Sequence, residues 1–186
     1  APRESVEAVR WSRMRGARVS GEVTPHHLWC DDSRRTYRGN PPIRKADDVT
    51  ALSDAIKDGT VTGIGTDHAP HTAEEKEKGA AGMVGRETAI GVCYTELCRE
   101  QRLPLEMLSF LMSAGPAAVL GLADRKGMLE PGYDADIVLV DLDHMYEVHA
   151  DELHSKSKNC PYDGALLYGK VVTTIKGGKV TFQIEE

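Results

Sequence analysis

The sequence has few cysteines, few aromatic residues and no long hydrophobic run. Its 186 residues include four cysteines, which are widely spaced and form no Cys-x-x-Cys pair. This scarcity argues against a disulfide framework and against a zinc finger. No apolar run approaches the roughly 20 residues that a membrane helix needs, and the first residues contain no hydrophobic signal region. We therefore expect a cytoplasmic protein that does not act at a membrane.

An excess of positive charge is also missing. The chain has 23 Lys and Arg against 29 Asp and Glu, a net charge of −6, and its basic residues alternate with acidic ones. Such a surface does not attract phosphate backbones, so we expect no nucleic-acid partner. Hydrophobic residues make up 40% of the chain, which is typical of a protein with a packed core. The length suits one domain, or one domain with a small appendage.

Helical and β-prone patterns alternate in the first part of the chain. The pattern predicts a helix over Pro2 to Arg15, a strand over Val19 to Thr24, a helix from Asp47 to Gly59 and a strand over Thr60 to Thr66. This order favours parallel β/α units, an α/β fold in which functional groups gather at the C-terminal ends of the strands. Polar clusters containing histidine follow both predicted strands.

Farther along the chain, the pattern changes from helical to β. Apolar residues at spacings of three and four predict two further helices, and a strand over Ile137 to Val140 precedes a hairpin around Gly177 and Gly178. We therefore expect residues 1–124 to form a β/α part and residues 125–186 to form a small β subdomain. The intervening segment Thr72 to Gly85 is charged and then glycine-rich. It predicts a long surface loop, and such loops are commonly functional.

The strongest chemical signal is the cluster Asp67, His68 and His71 at the end of the second predicted strand. A carboxylate with imidazoles can bind a divalent metal, and a carboxylate beside a metal-bound water can also transfer its proton. The alternative is that Asp-His after a strand only starts a turn, since this pattern is short and has many accidental matches. The spacing alone leaves both interpretations open.

Three other polar residues are candidates with ordinary alternatives. His26 and His27 are adjacent, so on a strand they would point to opposite faces and at most one would belong to a site. Either could equally be a buried or solvated structural histidine. Asn40 precedes two prolines in a stiff turn that could present an amide to a substrate, although Asn before Pro is common in loops.

These motifs together resemble consecutive landmarks of bacterial-type dihydroorotases, members of the amidohydrolase superfamily. The resemblance covers the whole chain in the right order, and TDHAPH (66–71) followed by a loop and G-x-x-G-x-E-T is fairly specific to dihydroorotases. Its segments are EVTPHHL (22–28), NPPIR (40–44), GTDHAPHTAEEK (65–76), GMVGRETA (82–89), GMLEPGYDADIVLVD (127–141) and SKSKNCPYDG (155–164).

The resemblance implies a (β/α)8 barrel of which this chain is only the C-terminal part, with a small β appendage. Family members are about twice this long, and a complete barrel rarely fits below about 200 residues. Their His-x-His motif, bridging ligand and two later histidines have no counterpart here. A partial barrel leaves strand edges unpaired. The expected partners therefore include the missing N-terminal half and other copies of the protein in a homo-oligomer.

The resemblance also assigns roles to five residues. It implies that Asp67 binds the metal and acts as the general base of catalysis, and that Asn40 and His71 contact the substrate. Ala80 and Gly82 match a loop whose backbone meets the pyrimidine ring. His26, His27 and His68 receive no catalytic role from the resemblance.

The implied activity is the zinc-dependent, reversible hydrolysis of L-dihydroorotate to N-carbamoyl-L-aspartate in pyrimidine biosynthesis. The isolated chain should be inactive, because a catalytic zinc usually has three protein ligands. Two alternatives remain. One is another cyclic amidohydrolase, such as a hydantoinase or allantoinase. The other is a non-catalytic, dihydroorotase-like subunit that scaffolds a partner such as aspartate carbamoyltransferase.

Overall fold

Two short parallel strands, β1 (Gly21–Val23) and β2 (Val61–Ile64), begin the architecture that positions the candidate site. They are seen in a computed structural model, which describes residues 2–33 and 37–184. The connection between the strands contains helices α2 (Pro25–Trp29) and α3 (Ala46–Lys57). The predicted parallel β/α arrangement is therefore confirmed, although both strands are shorter than predicted.

Helix α1 (Pro2–Met14) packs against α3. Asp47 and Asp48 lie in the first turn of α3, where negative charge suits the helix dipole. The chain turns at Gly59 with a φ of +76°, as a helix C-terminus favours. One hydrophobic core joins these helices, both parallel strands and the helices that follow. Its largest fully buried members are Leu28, Ile56, Leu97 and Leu111.

The segment predicted as a surface loop, Thr72 to Gly85, is partly helical and partly core. Helix α4 (Ala73–Glu77) is stabilised by a capping box between Thr72 and Glu75. Met83 and Val84, farther along, are buried. The prediction was wrong for these residues because a charged, single-turn helix has no apolar face, and two core side chains are too few to produce a periodic pattern.

Both predicted downstream helices are present, and each contains a π-helical turn. Helix α5 (Ala89–Cys93) continues into a π-helical segment at Tyr94–Glu100. Helix α6 (Leu105–Ser109) leads through a second such segment into α7 (Gly115–Val119). Wider turns of this kind occur where the regular ladder of helical hydrogen bonds is interrupted.

The second π-helical segment, Phe110–Ala114, directly precedes Gly115 and Pro116. Pro116 has no backbone N–H, which interrupts the helical ladder at this point. Gly115 lies against β2 so closely that an added Cβ would overlap the carbonyl oxygen of Thr62. Glycine therefore permits direct backbone contact between this helix and the strand.

The C-terminal part forms an antiparallel sheet in the order β3, β4, β5. Strand β3 (Ile137–Glu147) is longer than predicted and pairs with β4 (Leu166–Lys176) through two register irregularities. The predicted hairpin is confirmed: β4 turns at Gly177 and Gly178, both with positive φ, into β5 (Lys179–Gln183). A 3₁₀ turn at Ala150–Glu152 lies between β3 and β4.

A second core joins this sheet to the helical part. Met83 and Val92 pack with Val148, Tyr162 and Leu167. Since Met83 belongs to the segment between α4 and α5, the core anchors that segment on the sheet side. Within the part of the chain that the structure describes, no helix combines the length and apolarity needed to cross a membrane.

Candidate active site

Asp67 follows β2 at its C-terminal end, as expected from the sequence. Its backbone is left-handed, with a φ of +50°, a conformation that Asp and Asn tolerate better than most residues. Its side chain is about half exposed (48%), and its Oδ2 lies 4.0 Å from Nε2 of His26. The carboxylate therefore has a histidine on one side and open space on another.

His26 and His27 lie on helix α2, not on a strand. The strand interpretation was wrong because Thr24 caps the helix and Pro25 occupies its first turn, a combination typical of a helix start. On this helix both rings are buried, with centroids 4.3 Å apart. The Oγ1 of Thr24 lies 3.2 Å from Nε2 of His26 and 2.6 Å from Nδ1 of His27.

Both rings are held neutral by their surroundings. Burial and the neighbouring His27 lower the pKa of His26 to about 4, and burial likewise lowers the pKa of His27. Among the described residues, Nδ1 of His26 and Nε2 of His27 are buried without a hydrogen-bond partner. Asp67 therefore faces an uncharged imidazole at neutral pH.

His68 connects two backbone segments through hydrogen bonds. Its Nδ1 accepts hydrogen bonds from the backbone N–H groups of Gly85 at 3.2 Å and Arg86 at 3.4 Å. The backbone of His68 also forms a parallel bridge with Met83. These contacts tie the end of β2 to the segment before α5, and they agree with the structural interpretation of His68.

His71 lies beside helix α4 and the 155–164 segment. Its Nδ1 is 3.6 Å from Oε2 of Glu75. Its carbonyl accepts a 2.5 Å hydrogen bond from Oγ of Ser157, and its N–H donates a long one, 3.5 Å, to Oδ1 of Asn159. The backbone of His71 is thus held by side chains more than 80 residues away in the sequence.

Ala80 and Gly82 begin and end a short irregular segment after helix α4, which we call the 80–82 loop. Gly82 has a φ of +123°, and an added Cβ would lie 2.8 Å from the carbonyl oxygen of Ala69 and 3.0 Å from Cδ2 of His71. The ammonium of Lys76 donates to the carbonyls of Ala80 and Gly82, each at 2.9 Å. The structure therefore brings His71 and the 80–82 loop together.

The Gly82 carbonyl accepts two further hydrogen bonds. The hydroxyl of Tyr37 donates at 2.9 Å and Nδ2 of Asn159 donates at 3.0 Å. Lys76 also lies 4.8 Å from the centre of the Tyr37 ring, a cation–π contact. Tyr37 and Asn159 are 45 and 77 residues from Gly82 in the sequence, so only the fold reveals their contacts, whereas Lys76 is a local neighbour of the loop.

Asn40 precedes Pro41 in a bend near α2. Among the described residues, no hydrogen bond or ion pair joins it to Asp67, His71 or the 80–82 loop. The described contacts therefore join His71 to Gly82 directly and Ala80 to Gly82 through Lys76, and none of them includes Asn40.

The described residues do not form a complete metal centre. Among them, no group of three or more His, Cys, Asp and Glu side chains is placed to hold an ion. A catalytic zinc usually has three protein ligands. Asp67, with His26 at 4.0 Å, could supply one carboxylate to a site whose other ligands lie outside the described residues.

Comparison with known proteins shows what this arrangement is similar to. The amidohydrolase family matches residues 10–182. A dihydroorotase from Clostridium botulinum (strain Eklund 17B / Type B) is 46% identical over 181 residues, which are 97% of this chain and 45% of that protein. A dihydroorotase from Pelotomaculum thermopropionicum is 43% identical, over 96% of this chain and 44% of that protein. The chain thus spans less than half the length of these relatives.

Solved structures give the same picture of the fold. An L-hydantoinase (dihydropyrimidinase) from Arthrobacter aurescens superposes with a TM-score of 0.92 at 30% identity, over 99% of this chain and 44% of that one. This likeness confirms the predicted α/β fold class and the partial barrel of a hydrolase with its β appendage. Because the family match extends over nearly the whole sequence, we conclude that this chain belongs to the amidohydrolase family.

Proposed function

We propose that this chain is the C-terminal part of a dihydroorotase, which interconverts L-dihydroorotate and N-carbamoyl-L-aspartate in pyrimidine biosynthesis. The observation that supports this most is the placement of Asp67 at the end of β2, four residues before the His71 that packs beside the 80–82 loop. The 46% identity to a dihydroorotase supports the same choice of substrate. We expect the complete enzyme to work in the cytoplasm as a homo-oligomer.

Asp67 is proposed as the general base. In the hydrolytic direction, water attacks the ring amide carbonyl, and Asp67 takes a proton from that water. The C–N bond of the ring then breaks, and Asp67 passes the proton to the leaving nitrogen. The partial exposure of Asp67 leaves its carboxylate accessible for this transfer.

The 80–82 loop and His71 are proposed to bind the substrate. The N–H of Ala80 already donates to the carbonyl of Glu75, whereas the N–H of Gly82 donates to no acceptor among the described residues. We therefore assign the contact with the pyrimidine ring to the Gly82 amide. The His71 ring, only part-exposed and adjacent to Gly82, borders the same space. Asn40 is proposed to join them when substrate is present.

Zinc is the metal that we propose for the complete enzyme. Asp67 would supply one ligand, and the remaining ligands would come from the part of the relatives' length that this chain does not span. Removal of the metal with a chelator should abolish turnover, and added zinc should restore it. Activity that is unchanged after chelation would contradict the proposal.

A panel of substrates tests the proposed function directly. The full-length protein should turn over dihydroorotate much faster than hydantoin or allantoin. A hydantoinase is the second candidate, because a hydantoinase structure matches this fold with a TM-score of 0.92. Activity on hydantoin alone would establish that alternative and reject ours.

A non-catalytic subunit that scaffolds aspartate carbamoyltransferase is the third possibility from the sequence. The presence of Asp67 argues against a scaffold, since a non-catalytic subunit has no need of a base at the end of a strand. The sequence that precedes this chain in the full protein decides the matter: a His-x-His motif there supports an enzyme, and its absence supports the scaffold.

A further inference from the structure

We propose that Asn159 is a positioning residue that fixes His71 and the 80–82 loop relative to each other. Its significance for catalysis rests on the proposed function, in which His71 and the loop bind the substrate. The contacts of Asn159 do not depend on that assignment. They come from the segment between the 3₁₀ turn and β4, which lies far from the site in the sequence.

The side-chain amide of Asn159 bonds in two directions. Its Nδ2 donates to the Gly82 carbonyl at 3.0 Å and lies 3.1 Å from the hydroxyl oxygen of Tyr37. Its Oδ1 faces the N–H of His71 at 3.5 Å and the hydroxyl of Ser157. Donors thus surround the oxygen and acceptors surround the nitrogen, so the neighbours determine the orientation of the amide.

The backbone around Asn159 reaches the same two segments. The carbonyl of Asn159 accepts a 3.0 Å hydrogen bond from the N–H of Val84, just after the loop. Ser157 has one hydroxyl hydrogen, which can bond to the His71 carbonyl at 2.5 Å or to Oδ1 of Asn159. Residues 157–159 therefore connect the two proposed substrate-binding segments directly.

Lys76 holds the opposite side of the loop. Its ammonium bridges the carbonyls of Ala80 and Gly82, so the Gly82 carbonyl receives donors from Lys76, Tyr37 and Asn159 together. A carbonyl oxygen has two lone pairs, and three donors more than satisfy it. Removing the Asn159 amide therefore leaves no unsatisfied carbonyl. We expect the loop to lose its position while the protein keeps its fold.

The test compares Asn159→Ala and Asn159→Asp with the wild type in the full-length protein. Loss of one hydrogen bond from a partly buried carbonyl should raise KM about tenfold, with kcat changed by less than about threefold. Asn159→Asp places a carboxylate oxygen against the Gly82 carbonyl, so its KM should rise at least as much. Hydrogen exchange, measured without substrate, should become faster in peptides that cover residues 69–72 and 79–85.

Lys156→Ala is the matched control, because Lys156 is exposed in the same segment. It should leave KM and exchange unchanged. Ser157→Ala provides a second test should Asn159→Ala fail to fold, and it should accelerate exchange at residues 69–72. Combining Lys76→Met with Asn159→Ala should give a non-additive rise in exchange, since both side chains hold one carbonyl.

Unchanged KM and unchanged exchange in a folded Asn159→Ala protein would overturn the inference. A variant with a lower kcat and a lower melting temperature but an unchanged KM would also overturn the inference. That result would indicate a purely structural role for Asn159. Failure of the proposed function is a separate result: a wild type that does not turn over dihydroorotate rejects that function, while the exchange measurement still decides whether Asn159 couples the two segments.

Discussion

Oδ2 of Asp67 lies 4.0 Å from Nε2 of His26, which connects the C-terminal end of β2 to helix α2. Because burial keeps His26 uncharged at neutral pH, the contact supplies Asp67 with a polar neighbour and no positive charge. At this distance the two atoms are too far apart for a hydrogen bond, so His26 borders the carboxylate of Asp67 without holding it.

Replacement of Asp67 by Asn should abolish turnover in the full-length protein. Asn has the same size and tolerates the left-handed backbone at this position, but it is neither a base nor an anionic ligand. We expect a loss of about 10²–10⁴-fold or more in kcat, with an unchanged melting temperature. Asp143→Asn, at a side chain that is 99% exposed, should change neither quantity. Activity within about tenfold of the wild type would remove Asp67 from the mechanism.

Gly82→Ala should impair substrate binding more than stability. The new Cβ would meet the Ala69 carbonyl at 2.8 Å and would also be strained by the positive φ, so the 80–82 loop must move. We expect KM to rise at least about tenfold in steady-state kinetics. Gly132→Ala is the control, because Gly132 has a φ of +99° and an added Cβ there would have no neighbour within 4 Å. Equal KM values in the two variants would show that the position of the 80–82 loop does not affect substrate binding.

Gly115→Ala should destabilise the fold. The methyl group would overlap the carbonyl oxygen of Thr62 and push α7 away from β2. Overpacking of this kind typically costs about 1–3 kcal/mol, measurable by denaturant unfolding. Gly63→Ala tests the same helix–strand contact from the other side, where the new Cβ would make an ordinary 3.5 Å contact with Pro116. Gly63→Ala should leave the free energy of unfolding nearly unchanged. A larger loss of stability in Gly63→Ala than in Gly115→Ala would contradict this packing.

The carboxylate of Glu87 should make the free energy of unfolding depend on pH in the acidic range. Burial alone would raise its pKa, but hydrogen bonds from the backbone and ring of His154 and from the N–H of Ser155 outweigh this, and the pKa lies below its usual 4.5. The unfolded chain then binds more protons, so this stabilisation is present above about pH 4.5 and is lost as the pH falls through the lowered value.

Glu87→Gln should consequently show a smaller fall in melting temperature between pH 7 and pH 4 than the wild type. Glu130→Gln, at an exposed position in the turn before β3, serves as the control and should follow the wild type. An identical acid response in all three proteins would show that the hydrogen bonds of Glu87 do not stabilise its ionised form.

Local patterns in the sequence predicted much of the fold, because the elements concerned have local causes. The spacing of Leu52 and Ile56 indicated α3, and the paired glycines at 177 and 178 indicated the hairpin. Two errors had signals that could have corrected them. Thr72 and Glu75 form a readable capping box, and Pro25 after Thr24 is typical of a helix start. The boundary near residue 124 stays a prediction.

The candidate site was less predictable, since its parts are joined by contacts distant in sequence. Asp67 and His71 follow a strand and could be found from their chemistry. The roles of Tyr37 and Asn159 depend on a contact that spans 122 residues, and no local pattern marks either of them. The sequence therefore predicted which residues have suitable chemistry, whereas the fold was needed to find the residues that hold them.

The distance along the chain between Gly82 and Asn159 also has a consequence for biosynthesis. These residues are 77 positions apart, so at about 5–20 residues per second the ribosome needs about 4–15 s to add the second after the first. During that interval the 80–82 loop has Lys76 beside it but lacks its C-terminal anchor. A nascent chain therefore lacks the hydrogen bond from Asn159 to the Gly82 carbonyl until residues 157–159 are added, and a chain that ends before them lacks it permanently.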